Sequence, residues 1–259
     1  MGLGDAPAER PLHYPGTAAQ EPVLLLGDKL IPLHPEPGAE LGTWRTPAGD
    51  ALDDTLLVPT EHRHPVIAVG SNASPAQLHH KLTRHRPPAA APVAVPMVPV
   101  AVEGIAVGCS AHIGVHGYVA AAPYAEPGSR LTLVISWLDD AQLGVVDKTE
   151  FNYRRVLLPG ERFAMTMPSG EALRDAYLYV SRHGVLTDGP GGPPLPGGGD
   201  QRALLARLLA GSSALRELLG PGPESWVERA RAAEDVRRAG RRVFQELGWV
   251  RPVTRINFT

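Results

Sequence analysis

Apolar and polar positions alternate in blocks along this chain, and each block predicts an element. Val66, Ile67, Ala68 and Val69 run into Gly70-Ser71-Asn72, the pattern of a buried strand ending in a tight turn. Upstream, the apolar runs at residues 22–26 and 29–33 flank Gly27-Asp28, which predicts a hairpin. Ser74 is an N-cap candidate and Pro75 suits the first helical position, so a helix is expected straight after the turn. Residues 94–102 are β-rich but interrupted by Pro96 and Pro99, which restricts them to an edge or an irregular extended run. Residues 131–138 read as a stronger strand. Asp139 then opens a short helix that presents Asp147 and Glu150 at its far end. Beyond residue 200, Leu204, Leu205, Leu208 and Leu209, then Trp226, Val227, Val236, Val243, Phe244 and Leu247, recur at helical spacing.

The stretches between these blocks set the boundaries. Residues 1 to about 20 have no periodicity and are expected to be mobile, outside the fold. A polar, Pro-rich connection runs from His34 to His64, and residues 189–199 form a Gly/Pro linker. The expected organisation is an N-terminal extension with a hairpin (1–64), a core (65–188), the linker (189–199) and a helical C-terminal extension (200–259).

Composition narrows the partners. With 259 residues, 43% of them hydrophobic, the chain can bury one substantial core with appendages, or two small domains. The net charge is −2 with acids and bases scattered, so neither nucleic acid nor a membrane is an expected partner. The basic residues of 237–242 are offset by Glu228, Glu234, Asp235 and Glu246. Cys109 is the single cysteine, which excludes an intrachain disulfide and multi-cysteine metal sites. The opening residues lack the pattern of a secretion signal, so a cytoplasmic location is expected.

Two segments carry candidate chemistry. The Gly70 turn, where glycine permits a positive φ, offers backbone amides of residues 70–73 to an anion or an oxyanion, and the dipole of the helix that follows adds about 0.3–2 kcal/mol. Glu150, about eighty residues on, lies in Asp147-Lys-Thr-Glu-Phe-Asn-Tyr-Arg154 and is a candidate general base. Asp147 reads as a cap or salt-bridge partner, and Arg154 as either a carboxylate ligand or rim packing. Ser110 and His112 follow Cys109 without a nucleophile-elbow pattern, and Cys109 reads as a buried thiol. His112 with His116, and His79 with His80 and His85, lack the acid or cysteine partners of a zinc site, so no metal is expected.

The turn Val69-Gly70-Ser71-Asn72, followed downstream by Glu150 and Tyr153, resembles the signature of the gamma-glutamyl cyclotransferase family. There a Tyr-Gly-Ser-Asn turn precedes an essential Glu. Residues 112–123, 127–135 and 171–180 are similar to the family's middle portion and final core strand, so the resemblance covers roughly residues 65–183. It implies an α+β fold, a small mixed β-barrel flanked by helices, with the hairpin and helical segments as extensions. It also implies cleavage of a gamma-glutamyl amide by intramolecular attack of its α-amine, releasing 5-oxoproline and a free amine. No cofactor is needed. Glu150 would be the general acid/base, and Val69, Gly70, Ser71, Asn72, Ala73, Tyr153 and Tyr177 would line the substrate. Val69 for Tyr implies a wider or more apolar site, and Phe151 stands where Gly is common. The expected partner is a small gamma-glutamyl substrate, with self-association through the C-terminal helices left open. The alternatives are a catalytically silent ligand-binding or assembly domain on the same fold, or related amide and acyl chemistry.

Overall fold

The computed structural model describes residues 3–84, 91–253 and 258. A mixed sheet of eight strands organises them: β1 (Val23–Leu26), β2 (Lys29–Pro32), β3 (His64–Ala68), β4 (Ala94–Cys109), β5 (Ala121–Leu138), β6 (Tyr153–Pro159), β7 (Met165–Thr166) and β8 (Asp175–Ser181). Their order is β2-β1-β4-β5-β3-β8-β6, with β7 paired to β4. Only β3 and β8 run parallel. The edge strands β2 and β6 do not pair with each other, so the expected barrel is instead an open sheet. The pairing of the long β4 and β5 shifts register between Glu103 and Ile105 and continues past the sheet as a two-stranded arm.

Strand periodicity sends neighbouring residues to opposite faces. Leu24, Ile67, Ile135 and Leu178 enter one core, and Leu25, Val66 and Val134 enter another. The first face is covered by Leu33, Leu41, Trp44 and Leu52 from the connection between β2 and β3, together with Phe163 and Met165. Single apolar residues set among turns leave no period in a sequence, which is why that connection reads as polar. The second face carries α1 (Pro75–Thr83) through Leu78 and Leu82, and α2 (Asp140–Thr149) through Leu143 and Val146. Asp139 and Gln142 form a reciprocal capping box that fixes where α2 begins.

Two further segments are more tightly held than their composition suggests. Pro96 and Pro99 lie inside β4, not at an edge. Pro96 falls where only β1 pairs and Pro99 where only β5 pairs, so each missing N–H faces a side without a partner strand. The segment 189–199 is stitched to the arm: Leu195 is buried, its carbonyl accepts from Cys109 N at 3.1 Å, and Gly197 N donates to Val107 O at 3.0 Å.

After β9 (Val185–Leu186) come four helices, α3 (Gln201–Gly211), α4 (Ser213–Leu219), α5 (Pro223–Ala232) and α6 (Glu234–Glu246), and then β10 (Val250–Arg251), which pairs with β9. Leu205, Leu208, Leu215, Trp226 and Phe244 bury a third core against Ala111, Ile113 and Val119. The Trp226 indole N–H donates to the Gly117 carbonyl at 3.0 Å. Gly117 has φ +87°, and a Cβ there would come within 2.9 Å of the Val227 backbone, so only glycine lets this loop lie on α5. Among the described residues no helix is long and apolar enough to cross a membrane.

Candidate active site

The end of β3 delivers the Gly70 turn to the floor of a 720 Å³ cavity walled by α1, α2, the loop after β4 and the start of β6. Ser71–Ala73 form one turn of 3-10 helix, and α1 follows at Pro75. Glu150 caps the other end of α2, with φ −99° and its N–H donating to Val146 and Asp147 carbonyls. The two segments, distant in sequence, meet across the cavity.

Asn72 Nδ2 donates to Glu150 Oε1 at 3.0 Å, and Lys81 Nζ, from α1, reaches the same oxygen at 2.7 Å. Lys81 also donates to Asn72 Oδ1 at 2.7 Å, which closes a triangle. The chemistry fixes the amide's orientation, since an ammonium only donates and a carboxylate only accepts. The Lys81 and Glu150 side chains are only 12% and 13% exposed, so this ion pair is nearly withdrawn from water. Both bonds fall on Oε1, and Oε2 takes no hydrogen bond from the described residues. Asp147 is occupied elsewhere, accepting from Tyr179 at 2.6 Å and pairing with Arg155 at 3.4 Å.

Three tyrosines pack beneath this triangle. Tyr14 stacks on Tyr118 with ring centroids 4.3 Å apart, and its hydroxyl accepts the Ala121 N–H at 2.7 Å. Tyr153 Oη donates to Ala121 O at 3.0 Å. Burial holds all three phenols well above their usual range, and the Glu150 charge pushes the same way. They are neutral hydrogen-bonding groups. Tyr14 comes from the stretch expected to be mobile and outside the fold. It is instead buried in the cavity wall, with Ala8 N bonded to Gln77 of α1 at 3.0 Å.

Gly70 does not use the positive φ that glycine permits; its φ is −137° and its ψ −141°. Glycine is required for a different reason. A Cβ at this position would overlap the Tyr14 hydroxyl. Val69, Gly70, Ser71, Asn72, Tyr153 and Glu150 all line the cavity, whereas Ala73 and Tyr177 do not. The Ala73 N–H is spent inside the turn on Gly70 O at 2.9 Å, so it is no donor to a ligand. Tyr177 packs under the Arg155 guanidinium, 4.6 Å from its ring centre, and beside His64. Phe151 stands at the rim with 59% exposure, so it does not shield Glu150 from water.

Four contributors escaped the sequence: Lys81, Tyr14, Tyr118 and His112. Lys81 follows Asn72 by nine residues, a spacing that no strand or helix period singles out. Ser110 Oγ and His112 Nδ1 are 2.6 Å apart, where the chain bends just past the end of β4. His116 stacks on Tyr118 and is pushed down to about 4 by burial and by Arg231, Arg84, His80 and Lys81. Burial pushes the Cys109 thiol up to about 12, so it is inert. Among the described residues no three His, Cys, Asp or Glu side chains converge as a metal site, and His85 lies outside those residues.

No protein-family model matches the chain, and no match was found among curated proteins. Solved structures do align with 46% of it. A gamma-glutamyl cyclotransferase does so at 16% identity and a TM-score of 0.32, over 66% of its own length. An uncharacterised protein from Homo sapiens aligns at 15% identity and 0.33, over 67% of its length, and a protein from Arabidopsis thaliana solved in solution at 20% and 0.34, over 62%. The chain thus spans about two thirds or less of the length of each of these three structures. Identities this low leave function to be read from the site's own residues.

Proposed function

We propose that this cavity cyclises a gamma-glutamyl amide, releasing 5-oxoproline and a free amine. The observation that carries the reading is the Glu150 carboxylate, held by Asn72 and Lys81 over the Gly70 turn with Oε2 unengaged. The substrate contains both reacting groups. A cavity that favours its folded rotamer therefore gains an effective molarity on the order of 10⁵ M or more.

Glu150 Oε2 takes a proton from the α-ammonium, which frees the nitrogen lone pair to attack the carbon of the γ-carbonyl. The carbonyl oxygen becomes an oxyanion, and Glu150 returns the proton to the amide nitrogen as the carbon–nitrogen bond breaks. The α-nitrogen gives up two protons in all and the leaving nitrogen gains two, so the amine departs as an ammonium. The Gly70 and Asn72 amides, which are not spent within the turn, are the donors offered to this oxyanion; one such donor is worth about 3–4 kcal/mol. Lys81 anchors the carboxylate and sets its angle. Silent ligand binding is favoured by one feature, the neutralisation of Glu150 by Lys81.

A panel of gamma-glutamyl amides, assayed for 5-oxoproline, separates the two. Wild type should release it from at least one member, and Glu150→Gln should lower kcat by about 10²–10⁴. Binding of these amides without any 5-oxoproline would leave the silent reading.

A further inference from the structure

His112 is 5% exposed, lines the cavity and takes no part in the mechanism above. Behind it lies a buried chain of hydrogen bonds that begins at a fixed donor. The His183 backbone N–H can only donate, and it points at Ser181 Oγ at 3.0 Å. Ser181 Oγ lies 2.7 Å from Ser110 Oγ, which lies 2.6 Å from His112 Nδ1. A serine oxygen has two lone pairs, so Ser181 can take the His183 N–H and either donate to Ser110 or accept from it; in the arrangement in which Ser181 donates, Ser110 donates in turn to Nδ1. A ring that accepts at Nδ1 while neutral carries its proton on Nε2. Nε2 makes no hydrogen bond to the described residues.

We infer that His112 is a further ligand-binding residue, a neutral imidazole whose Nε2–H is aimed into the cavity as a donor to a carbonyl or carboxylate oxygen of the bound molecule. Neutrality has a structural cause. Burial, the neighbouring His183 ring at 4.9 Å and Arg241 of α6 push His112 down to about 3. Arg241 Nη1 lies 3.4 Å from His183 Nδ1, and His183 Nε2 is 2.9 Å from Asn152 Oδ1. Tyr153 packs edge-on at 5.8 Å. A neutral donor suits an oxygen that gains charge during reaction, because it stabilises that charge without having to surrender a proton first.

The inference rests on the cyclisation reading for its reaction, but its test separates the two. Protein labelled with ¹⁵N at histidine reports the tautomer directly, with His112 assigned by its loss in His112→Gln. Between pH 5.5 and 8 the expected signals are a protonated Nε2 and a bare Nδ1, and Ser110→Ala should erode that preference. Adding 5-oxoproline, which carries both kinds of oxygen, should shift the Nε2 signal. On any gamma-glutamyl amide that turns over, His112→Leu should lose at least tenfold in kcat/KM, and His112→Gln, which keeps a donor, should recover part of it. A proton on Nδ1, an Nε2 signal indifferent to 5-oxoproline, or full activity in His112→Leu would overturn the assignment. If wild type turns over nothing, cyclisation falls, and the tautomer and the 5-oxoproline shift still decide the role of His112.

Discussion

At the scale of single residues, the Glu150–Lys81 pair has the clearest energetic consequence. Removing one partner of a nearly buried ion pair strands the other charge, at a cost of about 3–5 kcal/mol. Lys81→Met should therefore lower stability in urea by about 3 kcal/mol at pH 7, and Glu150→Gln by less, since a glutamine oxygen still accepts from Lys81. Equal losses in the two variants would argue against the pairing. His112 adds a pH dependence. Its folded value of about 3 lies below the ordinary 6.5, so between those two values the unfolded chain binds the extra proton. Stability from this group is complete above pH 6.5 and drains away as the pH falls toward 3, by on the order of 4 kcal/mol. His116 and His183, each pushed down to about 4, act in the same direction. Unfolding free energies measured from pH 8 to 5 should fall, and more shallowly in His112→Gln; an identical slope would sink the claim. Gly70→Ala should be destabilised by about 1–3 kcal/mol through overlap with the Tyr14 hydroxyl, and Tyr14→Phe should relieve part of this in a double-mutant cycle. Glu150 and Asn72 were legible in the sequence because each sits in a short, recognisable run. Lys81 was not, because its partner lies 69 residues away and no local pattern records that meeting.

The elements divide in the same way. The hairpin, the strand into the turn, α1, α2 and the C-terminal helices follow from period, caps and breakers. What the pattern hid was held by contacts without a period: Tyr14 in an irregular segment, Trp44 among turns, and Leu195 within a Gly/Pro run. The Gly/Pro run is informative, since composition alone gives a linker while two main-chain bonds to β4 hold it in place. The open sheet was hidden for another reason. Whether strands close depends on what lies beside the two edge strands, and no single strand encodes that. The loop of residues 114–118 depends on α5, through the Trp226 indole and the close approach of Gly117 to Val227. Trp226→Ala should cost about 3–5 kcal/mol and should also disturb the ring of His116, whose ¹⁵N signals would reveal the change. An unaltered His116 in that variant would show the loop to be independent of the helix.

For the whole molecule, the three cores share strands and loops. Ala111, Ile113 and Val119 follow directly from the β4–β5 arm yet face the C-terminal helices. Heat should accordingly unfold the chain in one transition, with near-ultraviolet and far-ultraviolet dichroism superimposing. Two resolved transitions would mean that the helices melt apart from the sheet. The cavity itself draws Tyr14 from near the start of the chain, Asn72 and Lys81 from its first third, and Glu150 and Tyr153 from its middle. His112 is seated by a network that runs on to Arg241, close to the end.

That last dependence bears on when the molecule becomes competent during its synthesis. A ribosome that has translated as far as Tyr153 has already made every side chain of the Asn72–Lys81–Glu150 triangle, but the serine pair's partner at 181 and the guanidinium at 241 are still to come. The nascent polypeptide would thus carry the carboxylate and ammonium of the triangle well before it carries the groups around the imidazole, so the proposed contact from His112 could form only after residue 241 is made.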